Sequence, residues 1–390
     1  MICIRESGAG IGTIQQDHVV FVAARVHKVI IFYKAIYDIL ADTSRHPAVS
    51  VKAFHHRIVT LKESADLPDY KRLLNAILKK GNAVKTADQI YFLKYPRNRV
   101  HPANNIVAVR QALQKLQSQY QQLLALDLSL GRAGHWRYYQ AYTAAFASIS
   151  FLLPSIFDYD GWFVNLGPGE PWGPYQLTAA LNIDTCPYCN RSFTYTVFGN
   201  GTTKIARPQL DHFLPKSKHP LLALSFFNLI PSCSTCNSSI KGAAQPDDGT
   251  FLNPYSPNLR HSLIRFSYLP RSYPATIGMS NDLTITLKYN GDPKDLVLRQ
   301  KIERHIEAFC LAELYANHSD IVREIVRKKA VSCNRYIEML QDTFPALKLS
   351  LEEAYRLAYG NYFNETEFHR RPLSKLTKDI AIETGTVLNP

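Results

Sequence analysis

The sequence predicts an α+β, mostly α protein, with a small central β-containing module stapled by a four-cysteine zinc site. Three observations predict it. Two CxxC pairs, Cys186 with Cys189 and Cys233 with Cys236, lie 43 residues apart. Part of the insert between them alternates apolar and polar residues around a glycine turn. The segments on either side carry apolar residues mainly at helical spacing.

Composition bounds the rest. The chain has 390 residues, with 46% hydrophobic, 20% charged and 11% aromatic side chains, the usage of an ordinary globular protein. Disordered and low-complexity classes are excluded for the bulk of the chain. Lys plus Arg is 45 and Asp plus Glu is 32, a net charge of +13, which points to a polyanionic partner. The most apolar stretch, 143–157, is interrupted by Pro154 and is too short to span a bilayer, so no membrane association is expected. Residues 1–12 show no basic region followed by an apolar core, so a cytoplasmic protein with reduced thiols is expected. The GAGIG run at 8–12 follows no strand-like segment and is not read as a nucleotide loop.

The elements follow in order. Helices are expected over 20–39, over 69–80, and over 104–126, where Asn sits at a cap and Ile106, Val109, Leu113, Leu116, Tyr120 and Leu123 form one stripe. Lys94, Arg97 and Arg99 read as a solvated loop around Pro96. The Gly- and Pro-rich run 165–174 marks a domain boundary, and a short helix over 175–181 leads into the first CxxC. Residues 193–210 read as a hairpin turning at Gly199-Asn200-Gly201. A second small hairpin is expected from 261–268 and 283–289, then helices over 294–315, 318–342, 350–359 and 372–382. Three domains result: a helical basic region over 1–165 for nucleic-acid or partner docking, the module over 166–260, and a hairpin plus helices over 261–390. Residues 1–183 alone carry 20 basic and 12 acidic side chains, so a clamp is expected there. Arg323, Arg327, Lys328 and Lys329 read as a solvated helix face.

Two CxxC turns can present four thiolates to one ion at about 2.3 Å each. Four sulfurs leave no open position, so the zinc would be structural. A redox pair or buried metal-free thiols are the alternatives. Cys3, Cys310 and Cys333 read as ordinary thiols.

The insert carries Leu210-Asp211-His212-Phe213-Leu214-Pro215-Lys216-Ser217, then Phe227-Asn228-Leu229-Ile230-Pro231, and Asn237 directly follows the second CxxC. The wider run CPYCNR, LDHFLPKS, FNLIPSCSTCN and KG resembles the zinc-knuckled branch of the HNH (ββα-metal) endonucleases found among bacterial anti-phage defence systems, with the Septu-type nuclease subunit the nearest look-alike. The resemblance covers about 184–260, with NPYSP at 253–257 and RPLSKLTKDI at 371–380 similar to flanking segments. It implies a metal-dependent phosphodiester hydrolase acting on DNA ahead of RNA, a role in defence, and an ATPase or other defence-system partner. It also implies that Asn228 orients the general base.

The residues suit that chemistry. His212 can take a proton from water near neutral pH. Asp211 and Asn237 offer hard oxygens that suit Mg²⁺ or Mn²⁺, and Asn237 stands where the family often has His. Lys216, Lys218, Lys241 and Arg191 are candidate phosphate contacts, Lys241 first. His219 reads as plain surface. The rivals are an RNA nuclease, for example of tRNA, and a catalytically inactive, zinc-stapled nucleic-acid-binding module.

Overall fold

The longest helix begins almost at the N-terminus and organises the first half of the chain. The computed structural model describes residues 2–45, 60, 67–77, 105–130, 133–200, 203–241, 251–257, 259–332 and 336–387. Helix α1 (Ile11–Arg45) is longer at both ends than the expected 20–39. Nothing after Gly12 breaks it, and Ile11 and Ile14 prolong the buried stripe of Val22, Val26, Val29, Ile30 and Tyr33. Helix α2 (Tyr70–Asn75) falls within the expected 69–80; residues 78–80 lie outside the described residues. Helix α3 (Ile106–Ala125) packs along α1 and is capped by Asn105, whose side chain accepts from the Ala108 amide at 3.2 Å.

The apolar stretch 143–157 breaks into short turns whose Phe146, Ile149, Leu152 and Phe157 are core residues. No helix among the described residues is long and apolar enough to cross a membrane.

The β elements depart from expectation at one proline. Strands β1 (Val197–Phe198) and β2 (Lys204–Ala206) form the expected ribbon, but it ends before Pro208. Proline has no N–H to continue a ladder. The next strand, β3 (Gln209–His212), leaves that ribbon and pairs antiparallel with β4 (Leu229–Ser232), placing Asp211 opposite Ile230 and His212 opposite Leu229. The expected single hairpin over 193–210 is thereby corrected to two separate sheets. A short π-type helix, Thr235–Ile240, follows β4.

In the C-terminal part, β5 (Ile264–Pro270) and β6 (Leu283–Tyr289) pair as expected. The helix expected over 294–315 breaks at Cys310, which takes a left-handed backbone, φ 46°. Two helices result, Leu296–Ala308 and Leu311–Ala316. The expected 318–342 becomes Ser319–Ser332 and Tyr336–Thr343. Leu351–Tyr359 opens on a Ser350–Glu353 capping box and closes on Gly360 at φ 66°. The last helix is Ser374–Glu383.

The boundaries expected near 165 and 260 fall inside one continuous hydrophobic core that runs from Ile4 to Val387. Backbone bonds join the three regions: the Ile2 amide donates to the Pro187 carbonyl at 2.7 Å and the Ile4 amide to the Pro254 carbonyl at 2.9 Å. The basic surplus of the N-terminal region is also redistributed. Arg25 pairs with Asp69 and Arg110 with Asp38, each at 2.6 Å, while Arg5 meets Asp127 and Arg72 meets Asp69 and Asp158. Lys94, Arg97 and Arg99 lie outside the described residues.

His18 on α1 is fully buried beneath the central module. Its Nε2 lies 2.9 Å from the Leu224 carbonyl, which can only accept, so Nε2 carries the proton. Its Nδ1 accepts from the Trp172 indole at 3.3 Å. Burial pushes its pKa down to about 4. The unfolded chain therefore binds a proton between about pH 6.5 and 4 that the native state refuses, and stability falls as pH drops through that window. We expect this histidine to remove on the order of 2 kcal/mol between pH 6.5 and 5. Urea unfolding of wild type and His18→Gln checks it: wild type should lose more stability than the variant on acidification, and parallel losses would refute the assignment.

Candidate metal centre and catalytic cleft

The two CxxC turns meet as the spacing predicts. The four cysteine Sγ atoms are buried and lie within 4.8 Å of one another, with Cys189 and Cys233 at 4.0 Å. A zinc tetrahedron with bonds of about 2.3 Å has edges of roughly 3.8 Å, close to this spacing. Backbone amides of Arg191 and Cys236 point at the Cys189 and Cys233 sulfurs, each at 3.4 Å, as suits sulfurs that carry negative charge. Four such sulfurs could not all ionise together in a buried pocket without a cation. The cluster could therefore hold a metal ion such as zinc. Tyr315 anchors it from the C-terminal helices by donating to the Cys189 carbonyl at 2.6 Å.

Beside the cluster, β3 and the π-type helix flank a cleft of about 540 Å³. Asp211, His212 and Asn237 all line it, with Tyr159, Arg207, Gln209 and Lys216 on its walls. The His212 ring stands edge-on to Tyr159, centroids 4.4 Å apart. Its Nε2 lies 2.9 Å from the Ala223 carbonyl, so that nitrogen carries the proton and Nδ1 keeps its lone pair. Nδ1 has no hydrogen-bond partner among the described residues. Burial pushes the imidazole pKa down to about 4, so the ring is neutral at pH 7.

Asp211 is buried and held from behind. Its Oδ2 accepts from the Tyr188 hydroxyl at 2.6 Å and from the Lys241 ammonium at 2.5 Å. Oδ1 takes no hydrogen bond among the described residues. Burial and the Asp211 charge raise the Tyr188 pKa well above the ordinary tyrosine value, so the phenol stays a donor. Asn237 donates through Nδ2 to Gln209 Oε1 at 2.9 Å, which leaves its Oδ1 without a partner among the described residues.

Lys241 is a correction. It was expected to be the first of the phosphate contacts, but it is buried, and its ammonium is spread over Asp211 and the carbonyls of His212, at 2.7 Å, and Phe213, at 3.2 Å. It is a strut between the π-type helix and the end of β3. Lys241→Met should cost about 3–5 kcal/mol, because a buried carboxylate loses its counter-charge. Adding Asp211→Asn should recover most of that, a coupling that urea unfolding reads directly. A loss below about 1 kcal/mol in the single variant would mean a surface lysine instead.

Asn228 is fully engaged. Its side chain accepts from the Leu214 amide at 2.7 Å and donates to the Leu214 and Leu222 carbonyls, both at 3.0 Å. It thus pins both ends of the loop between β3 and β4, and Leu222 immediately precedes the Ala223 carbonyl that holds His212. The remaining basic candidates separate. Lys216 lines the cleft, pairs with Asp160 and lies 5.0 Å from the Tyr159 ring centroid. Lys218 is exposed beyond it. Arg191 is not in the cleft; its Nε donates to His318 at 2.9 Å on the cysteine side. His219 is not plain surface: it is half-buried, with Nδ1 3.1 Å from the Tyr139 hydroxyl and its ring near Trp136.

Sequence reasoning missed three residues. Tyr188 lies inside the first CxxC, where any side chain fits the spacing. Arg207 was masked by the expected continuous strand. Asn190 takes the left-handed turn after Cys189, φ 49°, and its side chain donates to Thr185 Oγ1 and to the Phe368 carbonyl, each at 2.9 Å. Its carbonyl accepts from Leu373, which ties the 371–380 segment to the cysteine cluster.

No family model, no curated protein and no solved structure matches this chain.

Proposed function

We propose that this chain is an HNH-type endonuclease that hydrolyses phosphodiester bonds, DNA ahead of RNA. One observation carries the reading: Asp211, His212 and Asn237 line one cleft, and Asp211 Oδ1, His212 Nδ1 and Asn237 Oδ1 are each left unpaired among the described residues. The β3, β4 and short-helix order agrees with it.

Asp211 and Asn237 would hold Mg²⁺ or Mn²⁺, which when bound polarises the scissile phosphate and stabilises the leaving oxygen. His212 takes a proton from the attacking water at Nδ1 while its Nε2–H stays on Ala223. The water oxygen bonds to phosphorus, and the bond to the leaving sugar oxygen breaks. Tyr188 and Lys241 fix Asp211 Oδ2, so that Oδ1 faces the cleft. Asn228 is a positioning residue, acting through the loop that ends at Ala223. Lys216 and Arg207 offer positive charge to the flanking phosphates. The four cysteines hold a structural zinc. A defence role and an ATPase partner rest on the sequence resemblance alone.

The test is cleavage of supercoiled plasmid, single-stranded DNA and total tRNA with Mg²⁺, Mn²⁺ or EDTA. Divalent-dependent cutting is expected, and the polymer cut decides DNA against RNA. A folded, zinc-loaded protein that binds these polymers and cuts none would instead be a catalytically inactive binding module.

A further inference from the structure

The segment 193–198, which bridges to Thr185 through Phe193 and leads into the β1–β2 ribbon, is built inside out. Along 193–198 the threonines turn inward and the aromatic residues turn outward. Thr194 is buried and donates to the Ile183 carbonyl at 2.9 Å, and Thr196 donates to Thr178 Oγ1 at 2.8 Å. Phe193, Tyr195, Val197, Phe198 and Ile205 are each 42% to 58% exposed. The Phe193 and Tyr195 rings lie 4.7 Å apart and within 20° of parallel. Burial of aromatic surface is a main driving force of folding, so a segment that hides hydroxyls and shows rings has a use for the rings outside.

The charge around the rings narrows that use. Residues 185–210 contain Arg191, Lys204 and Arg207 and no acidic side chain. Lys204 is exposed on β2, opposite Phe198, and Arg207 runs from the ribbon into the cleft wall. Stacked aromatics bordered by cations match a nucleic-acid strand whose bases are unpaired: the bases have faces to stack, and the phosphates meet the cations. A duplex hides those faces. A protein partner fits less well, since five apolar side chains fall far short of the roughly 20–30 residues that each side of a stable interface supplies.

We infer that the ribbon and the 193–196 segment leading into it form a base-stacking platform for an unpaired stretch of nucleic acid that continues into the cleft, with Phe193 and Tyr195 under the bases and Lys204 and Arg207 at the phosphates. This rests on the nuclease reading and names its substrate as single-stranded or locally opened.

The experiment is binding of a fluorescein-labelled 20-nucleotide oligo(dT), and of a blunt duplex of equal length, in EDTA so that no cutting intervenes. Wild type should prefer the single strand. Phe193→Ala/Tyr195→Ala should weaken oligo(dT) binding by roughly tenfold or more with little change in salt dependence, since the phosphate contacts remain. Phe193→Leu/Tyr195→Leu keeps the apolar bulk and removes the π faces, so it should weaken binding too. Lys204→Ala should lessen the salt dependence. Unchanged oligo(dT) binding in both double variants, equal affinity for duplex, or a change only in sedimentation would overturn the inference. Cleavage separates it from the reading beneath it: an active enzyme with ribbon-independent binding sinks the platform alone, whereas ribbon-dependent binding without any cleavage leaves the platform standing and sinks the nuclease.

Discussion

His212→Ala should lower the cleavage rate by about 10²–10⁴-fold, the range that a positioned general base supplies. The loss should fall on kcat with little change in KM, since under the proposed mechanism the imidazole meets the attacking water rather than the substrate's flanking phosphates. Stability should fall only modestly, by about 1 kcal/mol. The substitution removes one hydrogen bond, to Ala223, worth about 1 kcal/mol, and a half-buried ring. That separation matters, because a fall in activity that tracked unfolding would say nothing of chemistry. Asn228→Ala differs in kind. It leaves the buried Leu214 amide and carbonyl without their side-chain partner, while the Leu222 carbonyl keeps the Ser225 amide, so it should cost stability as well as rate. A His212→Ala protein that cuts at the wild-type rate would remove His212 from the mechanism.

The cysteine cluster should prove to bind zinc, and loss of that zinc should unfold the centre of the molecule. A structural zinc site contributes an apparent 10–16 kcal/mol in small zinc-binding peptides, comparable to the whole stability of an ordinary domain, about 5–15 kcal/mol. The cluster is also a joint. Ile2 meets Pro187, Tyr315 meets Cys189, and Asn190 meets Phe368, so both ends of the chain are tied to it. We expect about one zinc per chain by elemental analysis. Cys186→Ser/Cys233→Ser should be recovered zinc-free, with its melting transition lowered by tens of degrees or lost. A zinc-free double variant that melts at the wild-type temperature would show the cluster to be a set of ordinary buried thiols.

Much of this protein was legible in one dimension because it rests on short spacings. The CxxC pairs needed only their spacing to bring sulfurs together, and the stripe on 106–123 needed only helical periodicity. Asp211, His212 and Asn237 could be picked out because they sit between or beside those fixed points, two at a strand end and one directly after the second knuckle. Helix ends and strand partners were less legible. Pro208 could be read as a break only once it was known which strand needed the missing N–H. Cys310 interrupts a helix with no glycine or proline to announce it.

The sequence by itself determined the cysteine cluster, the helical character of both flanks and part of the cleft lining, Asp211, His212, Lys216 and Asn237, because each rests on a pattern of residues near one another along the chain. Only the tertiary structure decided what those side chains do to one another. It turned Lys241 from a phosphate contact into the buried counter-charge of Asp211, placed Ala223 where it fixes the proton on His212, moved Arg191 out of the cleft, and faced Phe193 and Tyr195 outward. The physical reason is the same in each case. A hydrogen bond or ion pair forms over about 3 Å and gains its strength from burial, and neither the distance between residues remote in sequence nor their burial exists until the chain is folded.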